Sequence, residues 1–315
     1  MELDEIISEV KKHITEKRYV HTEGVAFTAA ALAMKFSYES GYRENDNMEF
    51  VDKARTAGYL HDNAKCLSDE ELLAVCAQNN IPVTECEKKS PYLLHGKVGA
   101  FYAKTLYGID DEDILNAITY HTTGRPGMSM LEKIIFTADY IEPGRTKQAN
   151  LDYIRYLAFT DIDRCVLKIL SDTLDYLEEK HKSIDDMTVK TLEYYKNKQE
   201  MVQMDKILNT IYNAIDDKKG GNTRILDISA ITTISDYFIV TSGNNYNQVR
   251  AIADNVEEEL LKKHGMRPER VEGYNNGEWI LLDYIDYVIH VFDREQRLFY
   301  DIERIWSDGK EIEVK

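Results

Sequence analysis

The sequence predicts two domains, an all-α helical bundle over residues 1–197 and a small α/β domain over residues 198–315. Three observations carry this reading. The chain has 315 residues, a length that corresponds to about two domains. Apolar residues recur at helical spacing through the first two thirds of the chain. From about residue 220 the pattern changes to short runs of β-branched and aromatic residues bounded by glycine.

"GVAFTAAALAMKFSYES" places Val25, Ala29, Leu32, Ala33 and Phe36 on one face, and His21, just after "KRYV", is read as opening this helix. "MEFVDKARTAGYLHDNAK" continues the period through Phe50, Ala54, Ala57 and Leu60, with His61 and Asp62 in an apolar helical context. "SPYLLHGKVGAFYAKTLYG" has a Ser-Pro start signal and a glycine stop at Gly108. "DEDILNAITYHTTG" has acidic residues in its first turn, which suits the positive end of the helix dipole. "SMLEKIIFTADYIEPG" has a serine cap and stops before Pro143. Two or three longer helices follow from about residue 151 to residue 197.

In the second domain, "GGNTRILDIS" and "SDYFIVTSG" read as strands, and "NYNQVRAIADNVEEELLKKHG" as an amphipathic helix with a glycine stop. "EWILLDYIDYVIHVFD" reads as two strands around a tight turn near Ile285–Asp286. The polar stretch around residues 193–206 is the expected junction. It lacks Gly and Pro, so it could instead form one continuous helix.

Composition narrows the function. The net charge is −17, shared about equally between the halves, so neither is a nucleic-acid binder by bulk charge and no direct sequence-specific nucleic-acid binding is expected. An anionic substrate would need a local basic exception, whereas a basic protein partner would be attracted. Cys66, Cys76, Cys86 and Cys165 form no C-x-x-C pair and no secreted disulfide framework. The N-terminus lacks a signal-peptide core, and no run approaches the roughly 20 apolar residues that span a bilayer. A cytoplasmic protein with no membrane association is expected.

A lone His-Asp pair says little, but this one has company. His21, His61–Asp62, His95, His121 and Asp139 come from separate stretches, and His61, His95, His121 and Asp139 each neighbour apolar residues inside or at the end of a helix. Imidazole suits iron, zinc and manganese, and carboxylate suits hard divalent ions. Groups of this kind on different helices can converge in a bundle core. Asp62 is the candidate to bridge two ions. Without a cation such groups would be costly to bury. Basic residues that could meet a phosphoryl group are Lys65 first, then Arg125 and Arg145, and less strongly Arg18, each of which could equally be structural. Thr122 and Thr123 could cap a helix or contact phosphate. His13 and His181 are read as surface residues.

The order His21, His61–Asp62, His95, His121, Asp139 resembles the HD-domain metal-dependent phosphohydrolases. The stretches "RYVHTEGVA", "AGYLHDNAK", "HGKVGA" and "ITYHTTGRPGMSMLEKIIFTADYIEPGR" are similar to the bacterial YqeK-type symmetrical diadenosine tetraphosphate hydrolases. The resemblance implies two divalent metal ions, iron first, with manganese and nickel compatible with the same donors. It places one ion on His21, His61, Asp62 and Asp139 and the second on Asp62, His95 and His121. It implies a dinucleoside polyphosphate substrate cut into two nucleoside diphosphates. Asp62 and the cationic Lys65, Arg125 and Arg145 are the catalytic candidates. Two rivals stand beside it: a phosphohydrolase acting on another nucleotide, and a ribosome-binding factor with a purely structural metal bundle.

The second domain offers no comparable set. His264 is read as complementing a helix end, His290 as a half-exposed strand residue, and "TSGNNYN" as a strand-to-helix turn with Asn as cap. "ISDYFIVTSGNNYNQVRAIADNVEEEL" and "EGYNNGEWILLDYIDYVIHVFDREQRLFYDIERIW" resemble the ribosomal silencing factor family. That resemblance implies a nucleotidyltransferase-like mixed-sheet fold without catalytic equipment. It also implies binding to the large ribosomal subunit, through a ribosomal protein at the subunit interface, that blocks subunit joining. Trp279, Tyr284, His290, Phe292, Arg297, Tyr300 and Trp306 are contact candidates, of which fewer than half are expected at an interface.

Overall fold

A computed structural model of the chain describes residues 1–37, 47–148 and 150–312. The chain divides into two compact units, Met1–Gln199 and Glu200–Lys315. The first unit is helical: α1 (Leu3–His13), α2 (Glu16–Phe36), α3 (Asn47–Leu60), α4 (Asp69–Gln78), α5 (Glu85–Lys89), α6 (His95–Thr105), α7 (Glu112–Tyr120), α8 (Met130–Ile141), α9 (Leu151–Thr160), α10 (Ile162–Glu179) and the start of α11 (Asp186–Asp217). The end of the predicted "GVAFTAAALAMKFSYES" helix, at residues 38–40, lies outside the described residues.

Local chemistry sets these boundaries. The side chain of Thr15 accepts from the Arg18 backbone N–H, so α2 begins at Glu16 and His21 sits in its second turn rather than at its start. Ser129 and Glu132 form a reciprocal capping box at the start of α8, and Asp111 caps α7. Pro91–Leu94 is a 3₁₀ turn, so the α-helix that the Ser-Pro signal predicted begins four residues later, at His95. His61 and Asp62 lie in turns just past the end of α3, not inside a helix.

Helix α8 is the hub of this unit. Nine of its twelve residues are buried, as expected of a helix that is apolar nearly all round. Val25, Ala29 and Leu32 of α2, Phe50, Ala54 and Leu60 of α3, Ile118 of α7 and Ile154 of α9 share its core. A satellite core of Ala64, Leu72, Cys76, Leu94 and Val98 holds the segment after Asp62 against α4 and α6.

The second unit is built on β1 (Gly221–Asp227), β2 (Tyr237–Gly243), β3 (Arg270–Glu272), β4 (Trp279–Asp283), β5 (Tyr287–Asp293) and β6 (Lys310–Glu311), with α12 (Tyr246–His264), α13 (Arg294–Tyr300) and α14 (Ile302–Ile305). The sheet order is β3-β4-β5-β2-β1-β6. Only β2 and β5 pair in parallel, so the sheet is mixed, as the resemblance implied. Strand alternation sends Ile239, Ile289 and Val291 to one core with α12 and the end of α11. The other face carries Phe238, Val240, Val288 and Phe292, with Ile302 packed on them. The β4–β5 turn falls where predicted, with Ile285 at φ +70° and its N–H bonded to the Asp283 carboxylate. Asn245 caps α12. Among the described residues, no helix is long and apolar enough to cross a membrane.

Candidate metal centre

Four helix ends and one helix interior deliver the site. His61 and Asp62 follow α3, His95 opens α6, His121 follows α7, Asp139 lies in the last turn of α8, and His21 reaches in from α2. The structure brings all six together. His61, Asp62, His95 and His121 are buried, while the side chains of His21 and Asp139 are 13% and 24% exposed and mark the open side. Close packing of α6 on α7 is made possible by Gly96, where a Cβ would stand 2.5 Å from the Thr119 carbonyl oxygen.

Three of the four imidazoles are held in the same way. The Nδ1 of His61 lies 2.7 Å from the Gly58 carbonyl, that of His95 2.6 Å from Tyr92, and that of His121 2.7 Å from Ile118. A carbonyl only accepts, so each Nδ1 carries the hydrogen and each Nε2 turns a lone pair inward. The Nε2 atoms of His95 and His121 face each other at 3.0 Å. Two lone pairs at that distance repel unless a cation or a proton lies between them. The Nε2 atoms of His21 and His61 are buried without a hydrogen-bond partner.

The carboxylates complete the set. Asp139 Oδ1 lies 3.1 Å from His21 Nε2. Asp62 presents one oxygen to each side: Oδ2 is 3.5 Å from His61 and 3.8 Å from His21, whereas Oδ1 is 3.3 Å from His95 and 3.6 Å from His121. Two groups, His21–His61–Asp139 and His61–Asp62–His121, have ligand atoms within 4.8 Å of one another. This donor set could hold divalent cations.

The electrostatics agree. Burial, aided by neighbouring His121 and Lys65, pushes the His95 imidazole down to about 4, so it is neutral at neutral pH, as a metal ligand must be. Burial opposes charge on Asp62 and Asp139, but the surrounding imidazoles hold both carboxyls well below their usual range. Burial also opposes charge on His61, yet Asp62 and Asp139 outweigh it and raise its pKa. A field that favours a proton at the His61 Nε2 also suits a cation there.

The basic candidates separate. Lys65 Nζ lies 3.1 Å from His95 Nε2, and burial lowers its pKa. Arg18 reaches Asp62 Oδ2 at 2.7 Å, and Arg145 reaches Asp139 Oδ1 at 2.6 Å. Arg125 instead pairs through both Nε and Nη2 with the buried Glu132, a bracing contact at the start of α8. Thr122 Oγ1 lies 3.3 Å from His95 Nε2, while Thr123 bonds the Gly124 carbonyl. A cavity of about 540 Å³ beside the cluster is lined by Arg18, His21, Glu142 and Arg145. Glu142, which sequence reasoning missed, is 4% exposed and bonds His21 Nδ1 at 3.1 Å. Its only sequence signal is its place three residues after Asp139, in what reads as a helix stop.

The second unit corrects several expectations. His290 is buried, not half-exposed, because it lies on a central strand under aromatic rings. Its Nδ1 accepts from the Trp279 indole at 3.3 Å. Tyr284, His290 and Phe292 are core and cannot be surface contacts as they stand. Arg297 is spent on Glu303 and on the carbonyls of Gly221 and Asn222. His264 ends α12 as expected, and its Nε2 meets Thr210 Oγ1 at 2.8 Å. A larger cavity here, about 990 Å³, is lined by Arg224, Arg294 and Arg297, but Arg224 is paired with Glu311 and Arg297 with Glu303.

A His/Asp cluster of this order in a helical bundle defines an HD-type hydrolase unit, here joined to a mixed-sheet unit. The HD domain family matches residues 18–144, and the family of the ribosomal silencing factor during starvation matches residues 201–315. A symmetrical bis(5'-nucleosyl)-tetraphosphatase of Bacillus subtilis is 39% identical over 58% of this chain and 92% of its own length. A ribosomal silencing factor of Halalkalibacterium halodurans is 34% identical over 35% of this chain and 93% of its own length. A crystal structure from Clostridium acetobutylicum, described as a predicted HD superfamily hydrolase involved in NAD metabolism, is 37% identical. It covers 63% of this chain and 98% of its own, with a TM-score of 0.57. The chain belongs to both families: its N-terminal unit to the HD-domain symmetrical tetraphosphatases, its C-terminal unit to the ribosomal silencing factors.

Proposed function

We propose that the N-terminal unit cleaves dinucleoside tetraphosphates symmetrically into two nucleoside diphosphates at a two-cation centre. In the same reading, the C-terminal unit docks on the large ribosomal subunit through a basic ribosomal protein, blocks subunit joining and represses translation in the cytoplasm. The observation that carries the first half is Asp62, whose two oxygens face different pairs of histidines. His21, His61, Asp62 and Asp139 would hold one cation, and Asp62, His95 and His121 the other, with iron the first choice and manganese or nickel accepted by the same donors. Bound divalent cations polarise phosphoryl oxygens and acidify water.

The chain's own residues do the rest. Main-chain carbonyls fix the ring planes of His61, His95 and His121, so the donors are preorganised. Lys65, Arg18 and Arg145 place positive charge at the cluster, the local exception an acidic chain needs to hold a polyphosphate. In the second unit, acidic character favours encounter with a basic partner.

Incubation with a nucleotide panel followed by product chromatography tests the hydrolytic reading. Two equal nucleoside diphosphates from a dinucleoside tetraphosphate support it, and a monophosphate product sinks it. Co-sedimentation of the full chain with isolated large subunits, and inhibition of their joining to small subunits, tests the second half.

A further inference from the structure

We infer that Glu142 is a positioning residue for the cation centre: it fixes the ring of His21 and ties α2 to the end of α8. This rests on the reading of the cluster as a cation site. His21 lacks the local partner that the other three rings have. His61, His95 and His121 each bond the carbonyl three residues earlier, which is free because each ring stands at or beyond a helix end. His21 stands inside α2, where the preceding carbonyls are taken by the helix itself. Its outer nitrogen therefore needs a partner from another element.

Glu142 supplies it. Its Oε1 lies 3.1 Å from His21 Nδ1, and its Oε2 accepts the Gly144 N–H. With Nδ1 so engaged, His21 Nε2 points to Asp139 Oδ1 at 3.1 Å. The carboxylate is 4% exposed and fits closely: a Cβ on residue 24 would stand 2.9 Å from Oε2, so Gly24 leaves the room it occupies. The loop that carries it is held from behind by Arg155, which donates to the carbonyls of Ile141, Glu142 and Arg145. That loop also carries Arg145, whose Nη2 reaches Asp139. One buried carboxylate thus sets a ligand on α2 and the loop that follows the ligand on α8. A carboxylate acceptor also makes the imidazole a stronger donor than a carbonyl does.

The test is titration of the metal-free full chain with Mn²⁺ alone, comparing wild type with Glu142→Gln and Glu142→Ala. Glutamine keeps the shape but offers one acceptor oxygen where two N–H groups need one each. The expected result is a loss of Mn²⁺ affinity of about 10- to 100-fold in Glu142→Gln, larger than any fall in the stability of the metal-free protein accounts for. Glu142→Ala should lose at least as much. Wild-type affinity in Glu142→Gln overturns the inference, as does weakened binding matched by an equal fall in metal-free stability. Wild type that takes up no Mn²⁺ overturns both this inference and the cation site. Wild type that binds Mn²⁺ but cleaves no tetraphosphate, with Glu142→Gln weakened, leaves the inference standing and removes the hydrolytic reading.

Discussion

His95 and His290 are both buried imidazoles whose pKa burial drives down to about 4, yet they do different work. His95 faces other ligand atoms, and His95→Ala is expected to lower cation content and abolish hydrolysis, as elemental analysis and product assays would show. His290 faces aromatic rings and belongs to the core of the second unit. In the unfolded chain its pKa is near 6.5. Below that value the unfolded state gains a proton that the folded state refuses, so stability falls as pH drops from about 6.5 towards 4 and is flat above. The loss should reach about 2 kcal/mol at pH 5 relative to pH 7.5. Urea unfolding of wild type and His290→Phe at the two pH values checks this, since the variant's loss between them should be smaller by that amount. At this scale the grouping of His21, His61, Asp62, His95, His121 and Asp139 was legible in the sequence, because imidazoles and acids beside apolar residues at helix ends are a distinctive pattern. Glu142 was not legible, because its partner His21 lies 121 residues away and only tertiary packing pairs them.

Helices α6, α7 and α8 are the elements on which the site depends. Gly96→Ala should push α6 away from Thr119 and displace His95 with it, costing about 1–3 kcal/mol and weakening cation binding. Thermal unfolding and metal titration of that variant give both numbers. Ser129→Ala removes the cap of α8 and its hydrogen bond to Asp113, and should cost about 1–2 kcal/mol in the same unfolding experiment. The sequence marked these helices well, since their caps are local: Ser129 with Glu132, and acidic residues at the head of α7. It misplaced the start of α2, where "KRYV" hid the Thr15 cap. It also missed β3 and β6, which are two or three residues long and exist only by pairing with β4 and β1.

On the scale of the whole molecule, two cores are served by one helix. α11 gives Tyr195 to the first core and Ile207, Leu208, Ile211 and Ile215 to the second, while the residues between are mostly exposed. The absence of Gly and Pro there allowed a continuous helix, and that is what forms. Because the candidate ligands all lie in the first unit, chelation should lower one calorimetric transition and leave the other in place. Loss of both together would show that the units unfold as one. The indole bonded to His290 has a further consequence. Trp279 and Trp306 are the chain's two tryptophans, and both pack on the same sheet face of the second unit. Emission excited at wavelengths that tyrosine does not absorb is therefore a label for the ribosomal-factor half alone, and a partner docking on that sheet face could be followed without attaching any dye.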